Sequence, residues 1–129
     1  LDKDSTGLLL LTNDGRLHHR LSHPSFDHPK EYDVTVARPI SDGALKKMGD
    51  GLPLMGTKTP PARITRISPR RFRSVLQDGK NRQLRRMVRK VCTAVARLER
   101  KRFSSIKLGS LPPGKWRHLS RREREALIL

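Results

Sequence analysis

Apolar positions recur along this chain in two rhythms, and each predicts elements. Leu8–Leu11 form an unbroken run between Gly7 and the Asn13-Asp14-Gly15 turn, the pattern of a short buried strand. Asp14 stands where an N-cap belongs and predicts a helix over Arg16–Ser22, followed by a loop carrying Pro24 and Pro29. Strict alternation then sets Tyr32, Val34 and Val36 on one face and Glu31, Asp33 and Thr35 on the other, a half-buried strand. Ser41 caps a short helix over 44–48, closed by Gly49 and Gly51, and 52–62 reads as irregular. Alternation returns in 63–67 and 71–77, which flank Ser68-Pro69 as a hairpin. Helical spacing of Leu84, Met87, Val88 and Val91 predicts an amphipathic helix over 81–91. Residues 94–103 and 104–111 are strand-like, Pro112-Pro113-Gly114 turns the chain, and 115–119 are extended. Ser120 and Glu123 form a capping box for a last helix over 122–129. The sum is α+β: a mixed, mainly antiparallel β-sheet with flanking helices, in one domain.

Charge changes this picture most. Twenty-nine Lys and Arg against 12 Asp and Glu leave a net charge of +17 in 129 residues. So large an excess repels itself unless a polyanion shares it, and nucleic acid is the natural partner, because cations on phosphates release condensed counterions. Aromatic residues are only 4%, so Leu, Val, Ile and Met must build the core. No run approaches the length of a membrane-spanning helix, which argues against a membrane partner. The single Cys92 allows no intrachain disulfide and reads as a small buried hydrophobe, so a reducing, cytoplasmic compartment is expected. The chain starts abruptly at Leu1 inside a patterned segment, so truncation at the N-terminus is expected.

The candidate chemistry is sparse. His19 and His23 are four apart, but no cysteine or second ligand pair completes a metal site, so no metal is expected. No glycine-rich phosphate loop or Walker-type lysine is present, which argues against nucleoside-triphosphate chemistry. On the helix over 81–91, Arg82, Arg86, Arg89 and Lys90 turn away from the apolar stripe toward solvent or phosphates, and Arg85 lies at its edge. Among the scarce acids, Asp2 and Asp4 precede the leucine run. A carboxylate bathed in positive potential stays ionised and can act as a nucleophile or stabilise a cationic intermediate without a cofactor. Spacing alone leaves both open, as loop caps or as a reactive group.

Longer strings decide more. LDKDSTGLLLLTNDG, then KEYDVTV, then LQDGKNRQLRRMV, then VARLERKRFSSIKLGSLPPGKWRHL closely resemble, in order, the motifs of the RsuA-type ribosomal RNA pseudouridine synthases. The resemblance spans nearly the whole chain. It implies a pseudouridine synthase catalytic domain over 1–129, without the small RNA-binding domain that commonly precedes it. It also implies isomerisation of a specific uridine in ribosomal RNA, without any cofactor, by a monomeric protein. Mapped residue by residue, the essential aspartate falls on Asp2, a supporting acid on Asp4, the aromatic partner of the base on Tyr32, and the arginine that pairs with the aspartate on Arg85. Lys80, Arg82, Arg86 and Arg89 fall on the RNA-contacting stretch. The motif's arginine before Leu1 is not in this chain, and Asp78 stands where the family more often has Glu. Charge alone would equally suit a non-catalytic RNA-binding or ribosome-associated module. A DNA-binding regulator lacks a convincing helix-turn-helix pair or zinc site.

Overall fold

The computed structural model describes residues 3–23, 28–77, 82–91 and 93–128. The elements run β1 (Thr6–Gly7), α1 (Gly15–Ser22), β2 (Lys30–Val36), α2 (Asp42–Asp50), β3 (Pro53–Leu54), β4 (Thr57–Lys58), β5 (Arg63–Ser68), β6 (Arg71–Leu76), α3 (Gln83–Lys90), β7 (Val95–Phe103), β8 (Ile106–Lys107) and α4 (Arg121–Ile128). The main sheet has the order β1-β7-β2-β6-β5, with β8 also paired to β7. Among the described residues, β1 runs parallel to β7 and the other pairings are antiparallel. The expected α+β architecture is the one observed.

The alternating strand lies at the centre of this sheet. Val34 and Val36 of β2 are buried beside Phe72 and Leu76 of β6 and Leu98 of β7. Over them pack Leu45 and Met48 of α2 and Leu84, Met87 and Val88 of α3, so both helices turn their apolar stripes onto one sheet face. A smaller core joins Leu8, Phe103, Ile106 and Leu127 with Leu10, Leu17, Leu21, Leu108 and Leu119, tying the start of the chain to α1, β8 and α4.

Three elements depart from expectation. The leucine run is not itself a strand. Pairing stops at Gly7, and the run alternates instead, with Leu8 buried while Leu9 and Leu11 are 55% and 85% exposed. The irregular stretch contains a two-residue hairpin, β3–β4, whose turn holds Met55 and Gly56 at φ 51° and 83°. Positive φ at both positions is the geometry whose twist matches a tight hairpin. Arg82 does not lie within α3 but caps it in the left-handed region, at φ 54°. The outer sheet face is also less open than alternation implies. Asp33 is buried, because Arg71 on the adjacent strand grips both carboxylate oxygens, and the guanidinium holds that carboxyl below the usual carboxylate value.

The helix caps match the sequence. Asp14 accepts from the amides of Arg16 and Leu17 at 3.0 and 3.4 Å. Ser41 accepts from Ala44 N at 3.1 Å. Before α4, Glu123 Oε1 accepts from Ser120 N at 2.8 Å while Ser120 Oγ accepts from Glu123 N at 3.1 Å, a complete capping box. Arg117 adds a two-pronged bond to Glu123 at 2.7 and 2.9 Å. These bonds, that from Arg117 foremost, pull the Glu123 carboxyl down from 4.5 to about 2. A depressed folded-state value stabilises the fold above the ordinary value, and this contribution is lost as pH falls toward about 2. Thermal melts between neutral pH and pH about 2 should therefore show the wild type losing an advantage over Glu123→Gln in that window. Parallel pH profiles for the two proteins would contradict the assignment.

Candidate active site

Asp2 and Lys80 lie outside the described residues, as do Cys92 and Asp78. What is described is the stretch that leads away from Asp2, and it is gripped along its length. Arg85 Nη2 donates to the backbone oxygen of Asp4 at 2.8 Å and to Ser5 Oγ at 3.3 Å. Arg82 Nη1 makes an ion pair with Asp4 Oδ2 at 3.0 Å. One turn of α3 and its cap thus place two guanidinium groups on the residues immediately following the candidate aspartate. The position of Arg85 at the edge of the apolar stripe makes this possible. Leu84 and Val88 point into the core, and the half-buried Arg85 side chain runs beside them to reach the Asp4–Ser5 backbone.

The stretch is pinned again at Thr6 to Leu8. Thr6 and Gly7 pair with Glu99 and Arg100 of β7, and Thr6 Oγ1 donates to Leu98 O at 3.3 Å. Gly7 takes φ +104°, and a Cβ there would overlap the backbone N and O of Arg100, so only glycine lets the two backbones approach. Arg100 then closes on Leu8 from both sides. Its carbonyl accepts from Leu8 N at 2.8 Å, and its Nε donates to Leu8 O at 2.8 Å.

Tyr32 faces the same residue. Between β2 and β7 the register slips, so that Glu31 opposes Arg102 but Tyr32 opposes Arg100, with Lys101 the extra residue. Such a bulge re-aims side chains. Here it brings Arg100 onto the side of the half-buried Tyr32 and of Phe103, whose ring lies 5.3 Å from the guanidinium carbon. Burial pushes the Tyr32 phenol above its ordinary value, and the positive charge of Arg100 opposes that rise. Burial likewise lowers Arg100, against the pull of Tyr32. Arg100 is only 7% exposed and was not a candidate from the sequence. Its one visible signal was its place two residues after the buried Leu98.

Beyond Arg85 the surface opens into a trough of about 420 Å³ lined by Arg85, Arg86, Arg89 and Lys90. Arg86 also reaches back to Met55 Sδ on the β3–β4 hairpin at 2.9 Å. The polar side of α3 is therefore a concave cationic surface that starts at the gripped stretch, and phosphate groups are the ligands it suits. His19 and His23 share one side of α1, their rings 4.7 Å apart.

Comparisons with known proteins follow the same residues. A family model described as RNA pseudouridylate synthase matches residues 1–90. The chain is 43% identical over 120 residues to the dual-specificity RNA pseudouridine synthase RluF of Salmonella typhi, covering 93% of this chain and 42% of that protein. It is 38% identical over 126 residues to the ribosomal small subunit pseudouridine synthase A of Yersinia pestis, covering 95% and 54%. A crystal structure of a pseudouridylate synthase superposes with a TM-score of 0.92 at 32% identity, covering 98% of this chain and 56% of the other. The chain thus spans about half the length of the proteins it matches.

The close approach at Gly7 can be tested. Gly7→Ala should lower folding stability by about 1–3 kcal/mol, the cost of holding a side chain in a glycine-only backbone region, measured by chemical denaturation. A loss within error of zero would mean that β1 does not press on Arg100.

Proposed function

The chain belongs to the RNA pseudouridylate synthase family, and from that membership we propose that it isomerises a uridine of ribosomal RNA to pseudouridine, with residues 1–129 as the catalytic domain. The substrate is free ribosomal RNA or a pre-ribosomal particle, met in the cytoplasm by a monomer. The target base leaves its stack and enters the site, as base chemistry requires. The Asp2 carboxylate promotes breakage of the bond between N1 and the sugar carbon C1′. The detached uracil turns about, C5 bonds to C1′, the C5 proton leaves and N1 gains one. The exchange of a C–N for a C–C bond is internally balanced and needs no external oxidant or reductant. Tyr32 packs against the base and assists loss of the C5 proton. Arg85 keeps Asp2 ionised, since a neighbouring guanidinium favours the charged carboxylate.

The observation that carries this reading is the pair of bonds from Arg85 to Asp4 O and Ser5 Oγ, which holds a fixed positive charge two residues from Asp2. The cationic trough supports the RNA side. Arg86 and Arg89, with Arg82 and Lys80 beside them in sequence, contact phosphates and supply affinity, while the pocket supplies choice of base.

Two experiments separate catalysis from binding. In the full-length protein, Asp2→Asn should abolish release of the uracil C5 hydrogen from substrate RNA while leaving RNA affinity within about twofold, because carboxylates do not bind phosphates. Retained release refutes Asp2 as the catalyst and leaves a non-catalytic RNA binder. Replacing Arg86 or Arg89 with Gln should weaken binding across RNA sequences and reduce the slope of log K against log salt by about 1 each. An unchanged slope would remove that residue from the phosphate contacts.

A further inference from the structure

We propose that Trp116 is a stacking platform for an unpaired base of RNA, a second contact besides the trough on α3. The proposal rests on RNA as the partner but not on the isomerisation.

Trp116 is the one tryptophan of the chain, and it is 75% exposed. A single surface leucine is ordinary, but an indole is the largest apolar ring a chain can leave in water. It joins neither core, yet the segment that carries it is held still. Leu108 and Leu119, on either side, pack against the smaller core. Between them Leu111 N donates to Leu108 O at 3.3 Å and Lys115 N to Pro112 O at 3.2 Å, with Gly114 at φ 75° in the turn. One residue after Trp116, Arg117 is stapled to Glu123 by bonds of 2.7 and 2.9 Å. The His118 ring meets the indole at 86° with centroids 5.2 Å apart, an edge contact rather than a stack. A ring fixed in advance binds without the ordering cost of a loose one.

Charge names the occupant. Residues 115–125 hold five Lys and Arg against two Glu. Both acids are occupied, Glu123 by Arg117 and Glu125 by Arg121. Lys115, Arg122 and Arg124 are exposed and make no ion pair among the described residues. An aromatic face among cations suits a single strand of RNA, whose phosphates take the charge while a base takes the ring. A lipid surface needs an apolar stripe instead, and α4 carries two Glu and turns Leu127 into the smaller core.

The test uses the full-length protein and an oligouridylate, whose bases are unpaired. Emission from Trp116, taken as the difference between wild type and Trp116→Leu, should be quenched saturably by this strand. The same strand with abasic riboses, or an RNA duplex, should quench little, since neither offers a free base face. Affinity is read in an Arg86→Gln, Arg89→Gln background, so that the trough does not mask the platform. There Trp116→Leu should weaken oligouridylate binding about 5- to 100-fold while Trp116→Phe keeps most of it, as stacking on an aromatic ring implies. Neither should change the slope of log K against log salt, whereas Lys115→Gln should reduce it by about 0.7 if one phosphate contact is lost. Thermal melts of the Leu and Phe variants should overlay wild type, because the ring is outside both cores. RNA binding with Trp116 unquenched, equal quenching by the abasic strand, or partition onto phosphatidylserine vesicles in place of RNA overturns the proposal. If no RNA binds at all, the RNA reading falls with it. Release of the uracil C5 hydrogen enters none of these readouts, so failure of the catalytic reading is seen separately.

Discussion

The candidate site depends on bonds between guanidinium groups and one short run of backbone. Asp4, Ser5 and Leu8 lie at the edge of the sheet with only two residues of ladder pairing to hold them. Alone, such a segment would fray. Arg85 takes the Asp4 carbonyl and Arg100 takes the Leu8 carbonyl, so the run is fixed at both ends by charged donors on separate elements. Charge-assisted donors suit this task because they bond a carbonyl more strongly than a neutral group does. The same side chains also carry positive potential along this run. Structure and electrostatics are thus served by one set of atoms.

The remaining charge is sorted by surface. On the outer sheet face and around the termini, acids meet cations of the same chain. Arg71 grips Asp33, Lys101 and Arg97 flank Glu99, Arg66 meets Asp42, and Arg121 meets Glu125. Most of these pairs are solvent-exposed and add little stability each. Their effect is to cancel field locally. Helix α3 contains no acid, and its polar side gathers four cations around one concavity. The large net charge is therefore not a uniform coat, and the field is focused where the trough opens.

Much of this was legible from spacing. The alternation of Tyr32, Val34 and Val36, the stripe of Leu84, Met87 and Val88, and the caps at Asp14, Ser41 and Ser120 all describe local rules that tertiary packing left intact. The departures share a cause in long-range contact. Leu8–Leu11 look like a strand, but their neighbour on β7 is available only at Thr6 and Gly7. The β3–β4 turn escapes notice because Met55, rather than Asn or Gly, occupies a left-handed position. Asp33 looks solvated until Arg71, which lies diagonally across from it on β6, is seen to grip its carboxylate. Arg100 was the hardest to see. Strict alternation along β7 would put it on the opposite face from Phe103, and only the bulge at Lys101 turns both to the same side. Within the site, the grip of Arg85 on the Asp4–Ser5 backbone follows from its place at the stripe's edge, whereas the Tyr32–Arg100 contact does not.

The parallel pairing of β1 with β7 also governs how the molecule comes together. Thr6 bonds a carbonyl 92 residues away, while the hairpins β5–β6 and β7–β8 close over a few residues. Loop-closure entropy penalises so distant a partner until the intervening sheet exists, and contacts of that range form late. The Thr6–Gly7 segment is accordingly the last piece that this topology can seat. A chain made only as far as α3 already holds its cationic helix, yet it lacks the β7 strand on which Thr6 and Gly7 must pair.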